Sequence, residues 1–143
     1  MENVQNEYPY LFSLKVSSKV EELEKVRSFM EKSLMLPGIQ AEEVDDIMLA
    51  IQEGVTNAIN HGNKCNCELE VCLNIEITEK LINISIRDKG IGFNPELLSD
   101  PTLPENIMKQ NGRGLHIIKN LMDKVNFYSS DNYHELTITK FRK

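Results

Sequence analysis

Long apolar runs are missing from this chain: no stretch approaches the ~20 consecutive apolar residues that a membrane helix needs, so no membrane partner is expected. A secretory leader is not expected either. Residues 1–10 are polar and acidic, without the basic and apolar regions that such a signal combines, and a cytoplasmic location is expected. Cysteine is scarce and odd in number, with Cys65, Cys67 and Cys72 close together. Without a secretion signal this argues for reduced thiols and no disulfide. Cys-x-Cys lacks the usual ligand spacing of a zinc site and no second pair accompanies it, so His61, Cys65 and Cys67 are not read as metal ligands. Cys67 falls in the apolar row of a strand, a normal place for a buried thiol. Positive charge is also in deficit: 16 lysines and arginines face 22 acids, a formal charge of −6. Nucleic-acid binding needs clustered cations to neutralise phosphates. No direct nucleic-acid contact is expected, and any effect on DNA would pass through a protein partner.

What is present is an ordinary globular composition, 41% hydrophobic and 27% charged over 143 residues. That length supports one domain, residues 1–143, burying about 70% of its unfolded surface, and is too short for two comfortable ones. Residues 11–17 alternate, with Phe12, Leu14 and Val16 on one face, and predict an edge or first strand. Ser17 or Ser18 can cap a helix reaching about Leu36, with Val20, Leu23, Val26, Phe29, Met30 and Leu34 on its buried stripe. A second helix is expected over residues 41–60, stopped near Gly62, with Val44, Ile47, Met48, Ile51, Val55, Ala58 and Ile59 inward. Residues 67–77 and 81–87 alternate as two strands joined by a turn at Glu79-Lys80. Residues 94–111 hold Pro95, Pro101 and Pro104 without a sustained period, and a connection this long reads as a lid. A last helix over 114–124 and strands over 125–129 and 135–141 complete the chain. Hairpins at both ends and interspersed helices predict a two-layer α/β sandwich, with a mixed, mostly antiparallel sheet covered by three helices.

Three separated segments carry chemistry. In Glu53-Gly-Val-Thr-Asn57-Ala-Ile-Asn-His61-Gly62, a carboxylate and an amide stand four residues apart on one helix face, where they can share a metal and a reacting hydroxyl. Asp88-Lys-Gly90-Ile-Gly92 ends an alternating run with a carboxylate suited to the polar edge of a planar base, followed by glycines that let a ligand approach the backbone. Asn111-Gly112-Arg113-Gly114-Leu115 opens an amphipathic helix whose free N–H groups and dipole favour phosphate. Each segment has a plain structural reading as a solvated face, a strand-ending turn or a packing glycine. Their order along the chain carries the functional one.

These segments resemble, in turn, the N, G1 and G2 boxes of the GHKL ATPase superfamily, whose fold is the Bergerat-type ATP-binding sandwich. The wording Glu-x-Val-Thr-Asn-Ala-x-x-His-Gly and the Gly-Arg-Gly-Leu helix start are most similar to bacterial anti-sigma factor serine/threonine-protein kinases. The resemblance implies that ATP binds with adenine at Asp88, Mg²⁺ on Asn57, and phosphates under a lid over about 94–112, with Gly90, Gly92, Gly112, Gly114 and Leu115 around the nucleotide. Glu53 is then the base for a serine hydroxyl, and Lys109 and Arg113, cations in or beside the lid, are candidates for stabilising the γ-phosphate. The implied partners are an anti-anti-sigma antagonist and a sigma factor, with a homodimer that could use residues 11–17. Two departures stand out. Gln110 and Asn111 occupy the stretch where some sporulation-type relatives carry a lid arginine, and Tyr133-His134 replaces the Gly-Thr pair that many relatives have entering the last strand. The first makes a non-catalytic, ATP-gated binding module the alternative reading.

Overall fold

The computed structural model describes residues 8–35, 38–89 and 114–142. Strand β1 (Tyr10–Ser17) leads through a 3₁₀ turn (Val20–Glu22) into α1 (Leu23–Ser33). Helix α2 (Ala41–Asn57) follows, then β2 (Glu70–Ile77), β3 (Leu81–Asp88), α3 (Gly114–Leu121), β4 (Lys124–Ser129) and β5 (His134–Phe141). The five strands form one sheet in the order β1-β2-β3-β5-β4, and every neighbouring pair among them is antiparallel. The predicted sandwich with a largely antiparallel sheet is what the chain adopts, with β1 at one edge.

Period-two alternation explains the layering. Val71, Leu73, Ile75 and Ile77 of β2, Ile82, Ile84 and Ile86 of β3, and Leu136 and Ile138 of β5 all point to one side and are buried. Ile47, Ala50, Ile51 and Val55 of α2 meet them, flanked by Val26 and Met30 of α1 and by Ile118 of α3. The opposite face is polar. Ser13 donates to Asn74 Oδ1 at 2.6 Å and Thr139 donates to Asn83 Oδ1 at 2.7 Å across neighbouring strands. The β2–β3 turn is held by Thr78, whose Oγ1 accepts from the amides of Lys80 and Leu81.

Three local expectations fail. Neither Ser17 nor Ser18 caps α1: Ser17 Oγ donates to Glu22 Oε1 at 3.1 Å, and Ser18 Oγ donates to the Leu69 carbonyl at 2.7 Å. Val20, placed on the buried stripe, is 55% exposed because the chain is still in the 3₁₀ turn there. Cys67 is exposed rather than buried, since β2 begins only at Glu70. No helix among the described residues is long and apolar enough to cross a membrane.

Candidate functional site

The site begins where the inner row of β3 changes chemistry. After Ile82, Ile84 and Ile86, the same alternation turns Asp88 towards the helix layer, where it is 7% exposed. The first residue of β5, His134, lies opposite it in the ladder. Its Nδ1 is 3.1 Å from Asp88 Oδ1.

Above this pair, α2 does not stop as a regular helix. It widens over Ala58–Gly62 into a π turn, closed by the Asn63 amide donating to the Ala58 carbonyl at 2.8 Å. Such single wide turns occur frequently at functional sites. The exit is tight: Lys64 and Cys65 take φ values of 51° and 59°, the left-handed region that costs an L-residue about 1–2 kcal/mol. A β-carbon at Gly62 would run into the Asp88 carboxylate, so the close approach of helix to strand requires glycine.

Asn63 ties the site to the frame. It is 2% exposed; its Nδ2 donates to Ser18 Oγ at 2.8 Å and to the Glu70 carbonyl at 3.2 Å, and its Oδ1 accepts from the Lys89 amide at 3.0 Å. One side chain thus holds the start of β2, the segment after β1 and the residue following Asp88. All of its hydrogen-bonding capacity is directed at fixed partners except one lone pair of Oδ1.

Asn57, Asp88 and Leu115 come together in one pocket, with Ala58, Ile86, Phe127 and Leu136 supplying apolar wall and Gly54, His61, Gly62, His134 and Glu135 the remainder. Apolar walls with a carboxylate at one end suit a flat base whose edge carries an amine. Glu53, one turn before Asn57, is half-buried and is not among the residues lining that pocket. Gly114 starts α3. Gly90, Gly92, Lys109, Gly112 and Arg113 lie outside the described residues, as does the expected lid. His61 also lines the pocket, and burial pushes its pKa below the ordinary 6.5 by disfavouring the charged ring.

Asn63 and the His134 contact were not legible as site features. Position next to the first motif was the only signal for Asn63, and the Tyr133-His134 departure was the signal for the other.

Residues 16–140 match the family described as the histidine kinase-like ATPase domain. The chain belongs to that family. The anti-sigma F factors of Bacillus thuringiensis (strain Al Hakam), Bacillus mycoides (strain KBAB4) and Bacillus cereus (strain AH187) are each 36% identical to it over 96 residues, 64% of this chain and 64% of theirs. The aligned region therefore spans a little under two thirds of the curated relatives. A crystal structure of the RsbU and RsbW domains of a Mycobacterium tuberculosis protein superposes with a TM-score of 0.68 at 16% identity, covering 94% of this chain and 33% of that one. This second likeness concerns the fold. The GHKL-type assignment drawn from the three motifs agrees with all of these findings.

Proposed function

We propose that this chain binds Mg·ATP in the pocket between α2 and β3, and acts as an anti-sigma factor with protein serine kinase activity towards an anti-anti-sigma antagonist. The observation that carries the reading is the convergence of Asn57 and Asp88, 31 positions apart in sequence, on one pocket whose remaining lining is largely apolar. The names of the anti-sigma F relatives support the regulatory part.

The residues present fit the nucleotide and its metal. Asp88 offers a carboxylate acceptor to the exocyclic amine of adenine, which guanine does not present in the same place, and the absence of a side chain at Gly62 lets the end of the helix lie against that carboxylate. Among the described residues no group of three or more His, Cys, Asp or Glu could cage a metal. Asn57 would accordingly contribute one neutral oxygen to Mg²⁺, an ion that takes its remaining ligands from phosphate and water. Bound Mg·ATP supplies the γ-phosphoryl group and the charge that neutralises it. The chain's own part is to align the acceptor and accept its proton. Glu53, four residues before Asn57, is the carboxylate proposed to orient the serine hydroxyl and take that proton, while the helix start at Gly114 favours phosphate. The glycines and cations outside the described residues, Gly90, Gly92, Lys109, Gly112 and Arg113, are proposed to complete the phosphate side.

The test is to incubate the protein with γ-labelled ATP, Mg²⁺ and a small anti-anti-sigma protein from the same genome. Label on a serine of that protein is expected. Glu53→Gln should bind ATP as before and lose transfer by about 100-fold or more; near-normal transfer would remove Glu53 as the base. ATP-dependent binding of the partner with no transfer by the wild type would favour the non-catalytic module instead.

A further inference from the structure

Two adjacent residues after α2 meet the end of β3 in different ways. The backbone of Gly62 lies against the Asp88 carboxylate, where a β-carbon would collide. The side chain of Asn63 takes the next peptide, its Oδ1 accepting from the Lys89 amide at 3.0 Å. On the other side, only the five residues Ala58–Gly62 separate Asn63 from Asn57, the last residue of α2. That link is closed by the Asn63 amide on the Ala58 carbonyl at 2.8 Å and by the Cys65 amide on the Ile59 carbonyl at 2.7 Å. Asn63 is anchored in turn. Its Nδ2 donates to the carbonyl of Glu70 and to the hydroxyl of Ser18, a residue with no exposed surface.

We propose that Asn63 is a positioning residue of the nucleotide site, which sets the spacing between Asn57 and Asp88 by holding the Lys89 amide. This rests on the reading of Asp88 as the acceptor for the base and of Asn57 as the ligand of the nucleotide's Mg²⁺. A ligand that touches both groups gains fully from the second contact only where their spacing already matches it; otherwise ordering the protein consumes part of the gain. Without the Asn63 carbonyl, the Lys89 amide turns to water and the end of β3 can shift against α2. Asp88 remains in its ladder with His134, so the pocket persists and each end of the nucleotide can still be met separately. What is lost is the meeting of both in one geometry, and the metal contact should register that loss more than the base contact does.

The experiment is calorimetric titration of the whole chain with ATP in Mg²⁺ and with ATP in excess EDTA, reading the factor by which Mg²⁺ tightens binding. Asn63→Ala should cut this factor about tenfold while changing metal-free ATP affinity by less than about twofold. Asn63→Asp, which keeps an oxygen for the Lys89 amide, should recover most of it. Ser18→Ala removes one anchor of Asn63 and spares the Lys89 bond, so it should lower the thermal midpoint and leave the factor unchanged. A folded Asn63→Ala with the wild-type factor overturns the role of Asn63, as does an equal loss in Ser18→Ala. Hydrogen exchange in the wild type gives a second readout that needs no variant: the Lys89 amide should be protected, and exchange at the rate of an open loop amide overturns the proposal. A wild type that binds no ATP, or binds it without help from Mg²⁺, overturns the reading of the site and the role of Asn63 with it.

Discussion

Two stretches of β3 share one row and one period yet have opposite fates. Ile82 and Ile84 are wholly buried under the helices, whereas Asp88, further along the same row, forms with Ile86 part of the wall of a pocket. The difference lies in what lies above. Over the isoleucines, α2 presents Ile47, Ile51 and Val55, and even Gly54 serves contact, since a β-carbon there would stand 2.5 Å from Ile86 Cδ1. Over Asp88 the helix has widened, and its glycine makes room for a carboxylate. Core and site are therefore one surface, divided by a change of cover and not by a change of fold.

The comparison can be broken most forcefully from the core side. Ile84→Ala should cost about 2–5 kcal/mol of stability, read from urea unfolding, through the lost apolar contact and the cavity left behind. It should leave nucleotide affinity intact in whatever fraction stays folded. Asp88→Asn is the reciprocal case. The near-isosteric amide should keep the fold, with the thermal midpoint within a few degrees of wild type, while Mg·ATP affinity falls about 100-fold on loss of a charged acceptor. Unchanged affinity would show that the base is read elsewhere.

Asn63→Ala should blur the distinction, because Asn63 belongs to both regions. Removing it leaves the Lys89 amide and the Glu70 carbonyl without their partner, and a loss of about 1–3 kcal/mol is expected. Slower-exchanging amides in the core strands should report that loss as global, and ATP affinity should fall with it. The smallest effect concerns His61. Its folded pKa lies below the ordinary value because burial opposes the charged ring, so the unfolded chain binds the proton more readily. Its contribution is therefore complete above about pH 6.5 and is lost as pH falls through the lower, folded value. Comparing wild type with His61→Gln from pH 7.5 to 5, the wild type should lose slightly more stability, by less than about 1 kcal/mol given how much solvent still reaches the ring.

Much of this was legible in the sequence, and the reason is periodicity. The rows of β2 and β3 and the stripe of α2 repeat at 2 and 3.6 residues, so their buried members could be named from spacing, and Asp88 stood out as the charge ending an apolar row. The assignments that failed depend on partners distant in sequence. Ser18 looked like a helix cap because serine before an apolar stripe usually is one, but a carbonyl 51 residues away captures its hydroxyl. Cys67 looked like part of a strand because alternation extends past the point where pairing begins. Asn63 bonds residues 45, 7 and 26 positions away, a set that no local pattern encodes. The glycines and cations assigned to the phosphates lie outside the described residues, and their roles rest on motif order.

The wide turn at Ala58–Gly62 also fixes a count. An α-helix advances about 100° with each residue, and upstream of Ala58 that advance is locked by Ile47, Ile51 and Val55 against the sheet. Downstream, Asn63 is locked to β2 and to the residue after Asp88. Neither lock can slide, so the residues between them must span a set distance and rotation, and the π turn is the way five residues do so. Shortening this segment by one, whatever residue is removed, would restore an ordinary helical turn, rotate Asn63 away from Lys89 and shift Gly62 off the carboxylate. The core would be preserved and the site lost, so this part of the chain is constrained in length as strictly as in composition.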